Sequence, residues 1–235
     1  MEPLLYRIRL NGNLFIVSTP IGNLKDITLR ALEILNFVDF IACEDTRVTS
    51  ILLNTYKIKK ELTSLNPVNE DKKKNLIINK MLNGENCALV TDAGTPCISD
   101  PGAKLISEAV KNDIIIISIP GPSAVISALS ISGFPSSSFT FEGFLPQKKG
   151  RQKRLKELSE IENTIVLYES TYRIEKLLNE LNEFMKDRYI VVCREMTKKF
   201  EEVWRGTPQQ ILSKSDKVIK GEFVVVISPR NWKIE

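Results

Sequence analysis

Short apolar runs alternate with helix-periodic segments along the first half of the chain. Apolar runs at residues 14–18, 38–43, 62–65, 87–90 and 114–118 predict strands, and the segments that follow them predict helices at 28–36, 46–54, 69–82, 103–111 and 122–132. Continuous apolar runs are typical of parallel strands that are covered on both faces. Alternation of strands and helices favours a mainly parallel sheet with helices on both sides. The first half therefore predicts an α/β domain.

The second half of the chain has a different pattern. Strands are predicted at residues 139–145, 164–169, 189–194, 202–205 and 222–227, with helices at 151–161, 173–184 and 208–214. This order indicates a second α/β domain with a mixed sheet, so we predict an N-terminal domain at 1–120 and a C-terminal domain at 121–235. The uncharged stretch 114–141 is interrupted by Pro120-Gly121-Pro122, which argues against a membrane span.

Composition removes several classes of chemistry. The 235 residues include no histidine, which excludes Ser-His-Asp hydrolases, Cys-His proteases and histidine-ligated metals. The four cysteines are widely spaced and favour reduced core positions over a zinc site or a disulfide framework. The N-terminus lacks the layout of a signal peptide, so we expect a cytoplasmic protein without a metal site.

The loop at residues 92–102 is the strongest candidate for ligand binding. Its sequence is DAGTPCISDPG, and it joins the predicted strand 87–90 to the predicted helix 103–111. Ligands of open α/β sheets bind outside the carboxyl ends of strands. Gly94 permits close approach of a ligand to the backbone, and Pro96 and Pro101 stiffen the loop. An ordinary strand-to-helix turn is the competing interpretation.

Basic charge is concentrated in the second half. Residues 1–120 hold 14 Lys/Arg and 14 Asp/Glu, whereas residues 121–235 hold 19 and 15. A run without acidic residues could neutralise RNA phosphates, which dominate nucleic-acid affinity, or could be the solvated start of a helix. The residues predicted to bind RNA are Lys148, Lys149, Arg151, Lys153 and Arg154.

Nine short stretches occur in an order that resembles a known family. They lie at residues 18–24, 26–28, 43–47, 92–102, 120–124, 141–146, 168–170, 194–198 and 220–222. With them the chain resembles the tetrapyrrole methylase superfamily, and within it the methyltransferases that modify the 2′-hydroxyl of a cytidine in 16S ribosomal RNA. The resemblance implies a homodimer that acts on the small ribosomal subunit or its 16S rRNA, without DNA or membrane partners.

The resemblance also implies S-adenosyl-L-methionine in a cleft between two α/β domains. Backbone groups of the loops would hold most of the cofactor, and residues after a strand of the second domain would add to them. The residues assigned to cofactor binding on this basis are Pro20, Asp92, Ala93, Gly94, Thr95, Pro96, Ser123, Ala124, Tyr168, Glu169 and Ser170.

Methyl transfer from a sulfonium requires alignment of the acceptor oxygen and a group that accepts its proton. The predicted catalytic residues are Glu44 and Arg47 in the first domain, facing Glu195 and Lys198 in the second. Helix capping is an equally good interpretation of the Glu44 to Arg47 segment, with Asp45 as the N-cap. Relatives usually carry histidine at the positions of Asn66, Val68 and Tyr172, so none of those histidines can serve as the base here.

Two other functions are compatible with the sequence. One is a methyltransferase of the same fold that acts on a small tetrapyrrole. The other is a ribosome-binding protein without catalytic activity.

Overall fold

The computed structural model describes residues 11–213 and 220–233. The chain divides into two compact units, residues 1–123 and residues 124–235. In the described residues, ten strands form two five-stranded sheets, one in each unit. The predicted α/β class, with one parallel and one mixed sheet, is confirmed.

The first unit is a parallel sheet with the strand order β3-β2-β4-β1-β5. Its strands are β1 (Leu14–Val17), β2 (Phe40–Cys43), β3 (Glu61–Ser64), β4 (Cys87–Val90) and β5 (Ile116–Ile119). Between them lie a short 3-10 helix (Leu24–Asp26) and the helices α1 (Leu29–Phe37), α2 (Thr46–Thr55), α3 (Glu70–Leu82) and α4 (Ala103–Lys111).

Burial on both faces explains the uninterrupted apolar runs. Phe15, Ile41 and Ala88 pack on one side of the sheet in a core that includes residues of α1 and α2. Their strand neighbours, among them Phe40 and Leu89, pack on the other side with residues of α3 and α4. Successive residues of a strand point to opposite faces, so the inner strands β1, β2 and β4 are apolar at every position, whereas the edge strands β3 and β5 include polar residues.

The strand order predicts a crevice at the carboxyl ends of β1 and β4. These neighbouring strands lead to α1 and α4, which cover opposite faces of the sheet. Connections that leave adjacent strands toward opposite faces open a crevice between them, and this is where open α/β sheets bind ligands.

The second unit contains a mixed sheet with the order β6-β7-β10-β8-β9. Only the β6–β7 pair is parallel, and the other three pairs are antiparallel. The elements are α5 (Ala124–Ser132), β6 (Phe139–Phe144), α6 (Arg151–Ser159), β7 (Thr164–Ser170), α7 (Ile174–Phe184), β8 (Ile190–Arg194), β9 (Glu202–Gly206), α8 (Pro208–Leu212) and β10 (Glu222–Ile227). Leucines of α6 and α7 form a core with one face of this sheet.

Most differences from the predicted elements are small. The strand predicted at 114–118 is β5, Ile116–Ile119, and the helix predicted at 122–132 begins at Ala124. The end of the helix predicted at 208–214 lies outside the described residues, and α8 ends at Leu212. Within residues 11–213 and 220–233, no helix has the length and apolar character of a membrane span. All four cysteines are free thiols, three of them buried.

Candidate active site

The loops after β1 and β4 are joined by an isolated antiparallel bridge between Thr19 and Gly94. The Thr19 NH donates to the Gly94 carbonyl at 2.9 Å, and the Gly94 NH donates to the Thr19 carbonyl at 3.1 Å. The Thr19 hydroxyl also donates to the Thr91 carbonyl at 3.0 Å. The crevice predicted by the strand order therefore has a floor of backbone hydrogen bonds.

The loop after β5 joins the same network. Thr95 Oγ1 donates to the Pro122 carbonyl at 3.2 Å, so Ser18 Oγ is the donor in its 3.0 Å hydrogen bond with Thr95. Gly94 adopts a φ of +85°, a left-handed conformation that glycine accepts without strain. Of the predicted cofactor residues, the structure brings together Pro20, Asp92, Ala93, Gly94, Thr95, Pro96 and Ser123 on the loops of this crevice.

Carboxylates surround the end of β4. The hydroxyl of Thr91 donates to Glu44 Oε2 at 2.8 Å, and Asp92 Oδ1 accepts the backbone NH of Asp45 at 3.1 Å. Burial raises the pKa of Asp92, and nearby Glu44 adds to that shift. Burial, reinforced by the charge of Glu44, raises the pKa of Asp100 to about 6 although a hydrogen bond from Thr91 opposes the shift.

Asp100 is a candidate site residue that sequence reasoning missed. Asp100 lies inside the loop 92–102, but its pKa depends on burial and on the charge of Glu44, which belongs to a different loop. A carboxyl pKa near 6 approaches the range of an effective general base at neutral pH. The available signal was the pair of acidic residues, Asp92 and Asp100, in one loop of a chain without histidine.

The predicted capping role of Asp45 is confirmed. Its side chain accepts the Arg47 NH at 2.8 Å at the start of α2 and also pairs with the Arg47 guanidinium. Hydrogen bonds from the side chain and backbone of Arg47 lower the pKa of Asp45 to about 2. The side chain of Arg47 is exposed, so its guanidinium is accessible to solvent while it pairs with the N-cap residue Asp45.

Glu195 and Lys198 form a cluster with Glu222 in the second unit. Glu195 Oε1 accepts the backbone NH of Glu222 at 2.9 Å and Lys198 Nζ at 3.0 Å, and Lys198 also binds Glu222 Oε2 at 2.8 Å. Burial tends to raise the pKa of Glu195, but these hydrogen bonds outweigh it and lower that pKa. A carboxylate with a lowered pKa is a weak proton acceptor, so the cluster favours a role for Glu195 in fixing the loop. That Glu195 and Lys198 face Glu44 and Arg47 stays a prediction.

The carboxylate of Glu169 is buried at the end of β7. It accepts the Ser170 NH at 2.8 Å and Arg173 Nε at 2.8 Å, and it pairs with Arg151 Nη2 at 3.4 Å. Glu169 is 2% exposed, so its side chain stabilises the end of β7 from the protein interior. Any cofactor contact of this segment is left to Tyr168, to Ser170 and to backbone groups.

Burial contradicts the prediction that Arg151 contacts RNA. Its side chain is 2% exposed and pairs with Glu180 at 2.8 Å as well as with Glu169. Arg154 is also engaged, because its guanidinium binds Glu142 and Glu157. The exposed members of the run are Lys148, Lys149 and Lys153, so the predicted RNA contact is restricted to these lysines.

A family model described as Tetrapyrrole (Corrin/Porphyrin) Methylases matches residues 13–212. The chain belongs to the tetrapyrrole methylase family. It is 46% identical over 218 residues to the ribosomal RNA small subunit methyltransferase I of Thermotoga maritima, covering 92% of this chain and 98% of that protein. The protein of the same name from Halalkalibacterium halodurans is 42% identical over 226 residues, or 95% of this chain and 78% of the relative.

Solved structures of tetrapyrrole methylases share the fold. A cobalt precorrin-4 methyltransferase superposes with a TM-score of 0.67 at 19% identity, covering 92% of this chain and 94% of that one. A uroporphyrin-III C-methyltransferase from Thermus thermophilus, complexed with S-adenosylhomocysteine, superposes with a TM-score of 0.64 at 13% identity over 92% and 97% of the chains. Among tetrapyrrole methylases, this chain is thus close in sequence to the ribosomal RNA enzymes and similar only in fold to the porphyrinoid enzymes.

Proposed function

We propose that this protein is an S-adenosyl-L-methionine-dependent methyltransferase that modifies the ribose 2′-hydroxyl of a cytidine in 16S ribosomal RNA. The observation that carries the proposal is its similarity to ribosomal RNA small subunit methyltransferases I, at 42–46% identity over more than nine-tenths of the chain. The small ribosomal subunit is then the substrate. The homodimer implied by the family belongs to the same proposal.

The crevice of the first unit fits the proposed cofactor. Thr19, Gly94 and Thr95 hold its loops together, and the exposed Ala93 and half-buried Asp92 offer backbone and carboxylate groups at its edge. Negative charge from Glu44 and Asp92 suits a cationic sulfonium. When bound, the cofactor supplies an electrophilic methyl group. The loops of this crevice would hold the cofactor largely through their backbone groups.

Asp100 and Glu44 are the proposed proton acceptors in the absence of histidine. Both interact with Thr91, and burial leaves Asp100 with a pKa of about 6. A positioned base of this kind contributes about 10²–10⁴-fold to a proton-transfer step. The exposed guanidinium of Arg47 pairs with Asp45, whose backbone NH binds Asp92, and it would bind a phosphate of the RNA.

Transfer of a labelled methyl group tests the proposal. Purified small ribosomal subunits lacking the modification should be methylated, and precorrins should not. The labelled nucleotide should resist alkaline cleavage, because that cleavage needs a free 2′-hydroxyl. Label on a base, or transfer to precorrins alone, would contradict the proposal and support a small-molecule methyltransferase. Binding to subunits without any transfer would support the non-catalytic alternative.

A further inference from the structure

We propose that Phe144 is a stacking platform for an unstacked nucleobase of the RNA substrate. The inference rests on the proposed function and adds to it a recognition surface. Phe144 ends β6 and lies in register with Tyr168 of β7, so both rings stand at the carboxyl end of the parallel pair. The basic segment that begins with Lys148 and Lys149 follows after Leu145, Pro146 and Gln147.

Phe144 is exposed where its neighbours are not. The residues on either side, Gly143 and Leu145, are buried, whereas Phe144 is 52% exposed. The β6–β7 register shifts between Phe141 and Gly143, and Gly143 adopts a φ of +67°. Irregularities of this kind change the direction of side chains near functional sites. The exposed ring of Phe144 beside this shift is accessible to a ligand, and its aromatic and cationic neighbours make the case for a binding role.

The ring of Phe144 is held in place by its neighbours. Its centroid lies 5.6 Å from that of Tyr168, which in turn makes an edge contact with Phe141 at 5.1 Å. The guanidinium of Arg173 lies 5.7 Å from the Phe144 ring. Arg173 is fixed by Glu169 at 2.8 Å and by Ser170 Oγ at 3.2 Å. An aromatic ring that is already oriented loses little entropy when it stacks against a ligand.

The basic residues that follow Phe144 in sequence favour RNA as the occupant. Lys148 and Lys149 are exposed, and neither forms an ion pair with any described residue of the chain. Unpaired cations bind phosphates, and aromatic rings stack on splayed bases of single-stranded RNA. A purely apolar partner would account for the ring and leave the lysines unexplained. We therefore assign the surface to a nucleotide whose base stacks on Phe144 and whose phosphates lie against the lysines.

Binding of a short unstructured RNA that carries one fluorescent adenine analogue tests the assignment directly. Stacking quenches the fluorophore, so titration of the wild-type protein should give a saturable loss of signal. Stacking on an aromatic ring is worth about 1–3 kcal/mol per base, so Phe144→Ala should weaken binding by roughly 5- to 150-fold. Phe144→Trp should retain both the affinity and the quenching. Phe37→Ala is the matched control, because Phe37 is 50% exposed and its ring makes an edge contact with that of Phe15 at 6.0 Å.

Affinity for S-adenosylhomocysteine, measured by calorimetry on the same variants, separates the two possible sources of a stacked base. The platform predicts unchanged affinity for that ligand and, with small ribosomal subunits, a raised KM with little change in kcat. Loss of S-adenosylhomocysteine affinity with unaltered RNA binding would overturn the assignment, as would equal effects of Phe144→Ala and Phe37→Ala. Wild-type protein that binds and quenches the RNA without methylating subunits would contradict the proposed function and leave the platform supported.

Discussion

Glu70 Oε1, on α3, accepts the backbone NH of Gly102 at 3.0 Å, where α4 begins. The same oxygen accepts the NH groups of Lys104 at 3.0 Å and Leu105 at 3.4 Å. Gly102 has no side chain with which to cap α4, and Glu70 is only 6% exposed. A buried carboxylate from a neighbouring helix thus fixes the end of the loop 92–102.

Replacement of this cap should destabilise the first unit. Glu70→Ala leaves buried NH groups unsatisfied, and we expect a loss of about 2–3 kcal/mol in the free energy of unfolding, measured in urea. Glu70→Gln keeps an acceptor oxygen and should lose less. Asp71→Asn is the control, since exposed Asp71 touches α4 only through Lys104 at 2.6 Å and should leave stability almost unchanged. Equal losses for Glu70→Ala and Asp71→Asn would rule out the capping role.

Stability should depend on the ionisation of Asp100. Burial raises the pKa of Asp100 from its ordinary 3.8 to about 6, so the folded state binds this proton more tightly than the unfolded chain does. The resulting penalty is absent below the ordinary value, grows as the pH rises toward the folded value and stays constant above it. Asp100→Asn remains neutral, so the variant should melt above wild type at about pH 8 and with it at about pH 4. Asp187→Asn, at an exposed position, is the control variant. A pH-independent difference between Asp100→Asn and wild type would contradict the shift.

The backbone of Gly94 should be needed for cofactor binding. Gly94 and Gly150 have nearly the same φ, +85° and +86°, so alanine should cost each position a similar strain of about 1–2 kcal/mol. Only Gly94 lies on the loop proposed to hold the cofactor. S-adenosylhomocysteine at a hundredfold excess over its Kd should stabilise wild type and Gly150→Ala by about 2.7 kcal/mol, seen as a rise in melting temperature. Gly94→Ala should lose most of that rise, and the idea fails if the two variants respond alike.

Variants in the basic segment 148–154 should distinguish residues that stabilise the fold from residues that bind RNA. Arg151→Gln removes the buried cation shared by Glu169 and Glu180, which keep only Arg173 at 2.8 Å and Lys176 at 3.9 Å, and the loss should cost up to about 3–5 kcal/mol of stability. Lys149→Gln should leave stability unchanged, weaken binding to small subunits and reduce the slope of log K against log salt by about 1. Denaturation curves and salt titrations measure the two effects. Unaltered salt dependence in Lys149→Gln would make that lysine a solvated residue only.

Patterns local in sequence predicted the fold well. The limits of β4 and α4 coincide with the predicted 87–90 and 103–111, because an apolar run and a helical stripe flank a loop rich in glycine and proline. The inward position of Arg151 also had a local signal. Arg151, Leu155 and Leu158 are spaced by four and three residues, which places them on one helix face, and both leucines are core residues.

Contacts between distant segments were not predictable in this way. The cap that Glu70 places on α4 joins residues 32 positions apart. The pKa of Asp100 depends on burial and on Glu44, from the loop after β2. Such contacts arise because the strand order brings distant segments together. A single sequence contains no local pattern that reveals them.

The Thr19–Gly94 bridge restricts how this protein can vary or be redesigned. Two loops that exchange a pair of hydrogen bonds must keep their lengths matched, because one inserted residue in either would shift the bonding groups out of reach. Exchange of the 92–102 loop for that of another protein would therefore fail unless residues 18–22 were transplanted with it. The two segments, separated by some 70 residues of chain, therefore behave as one structural unit.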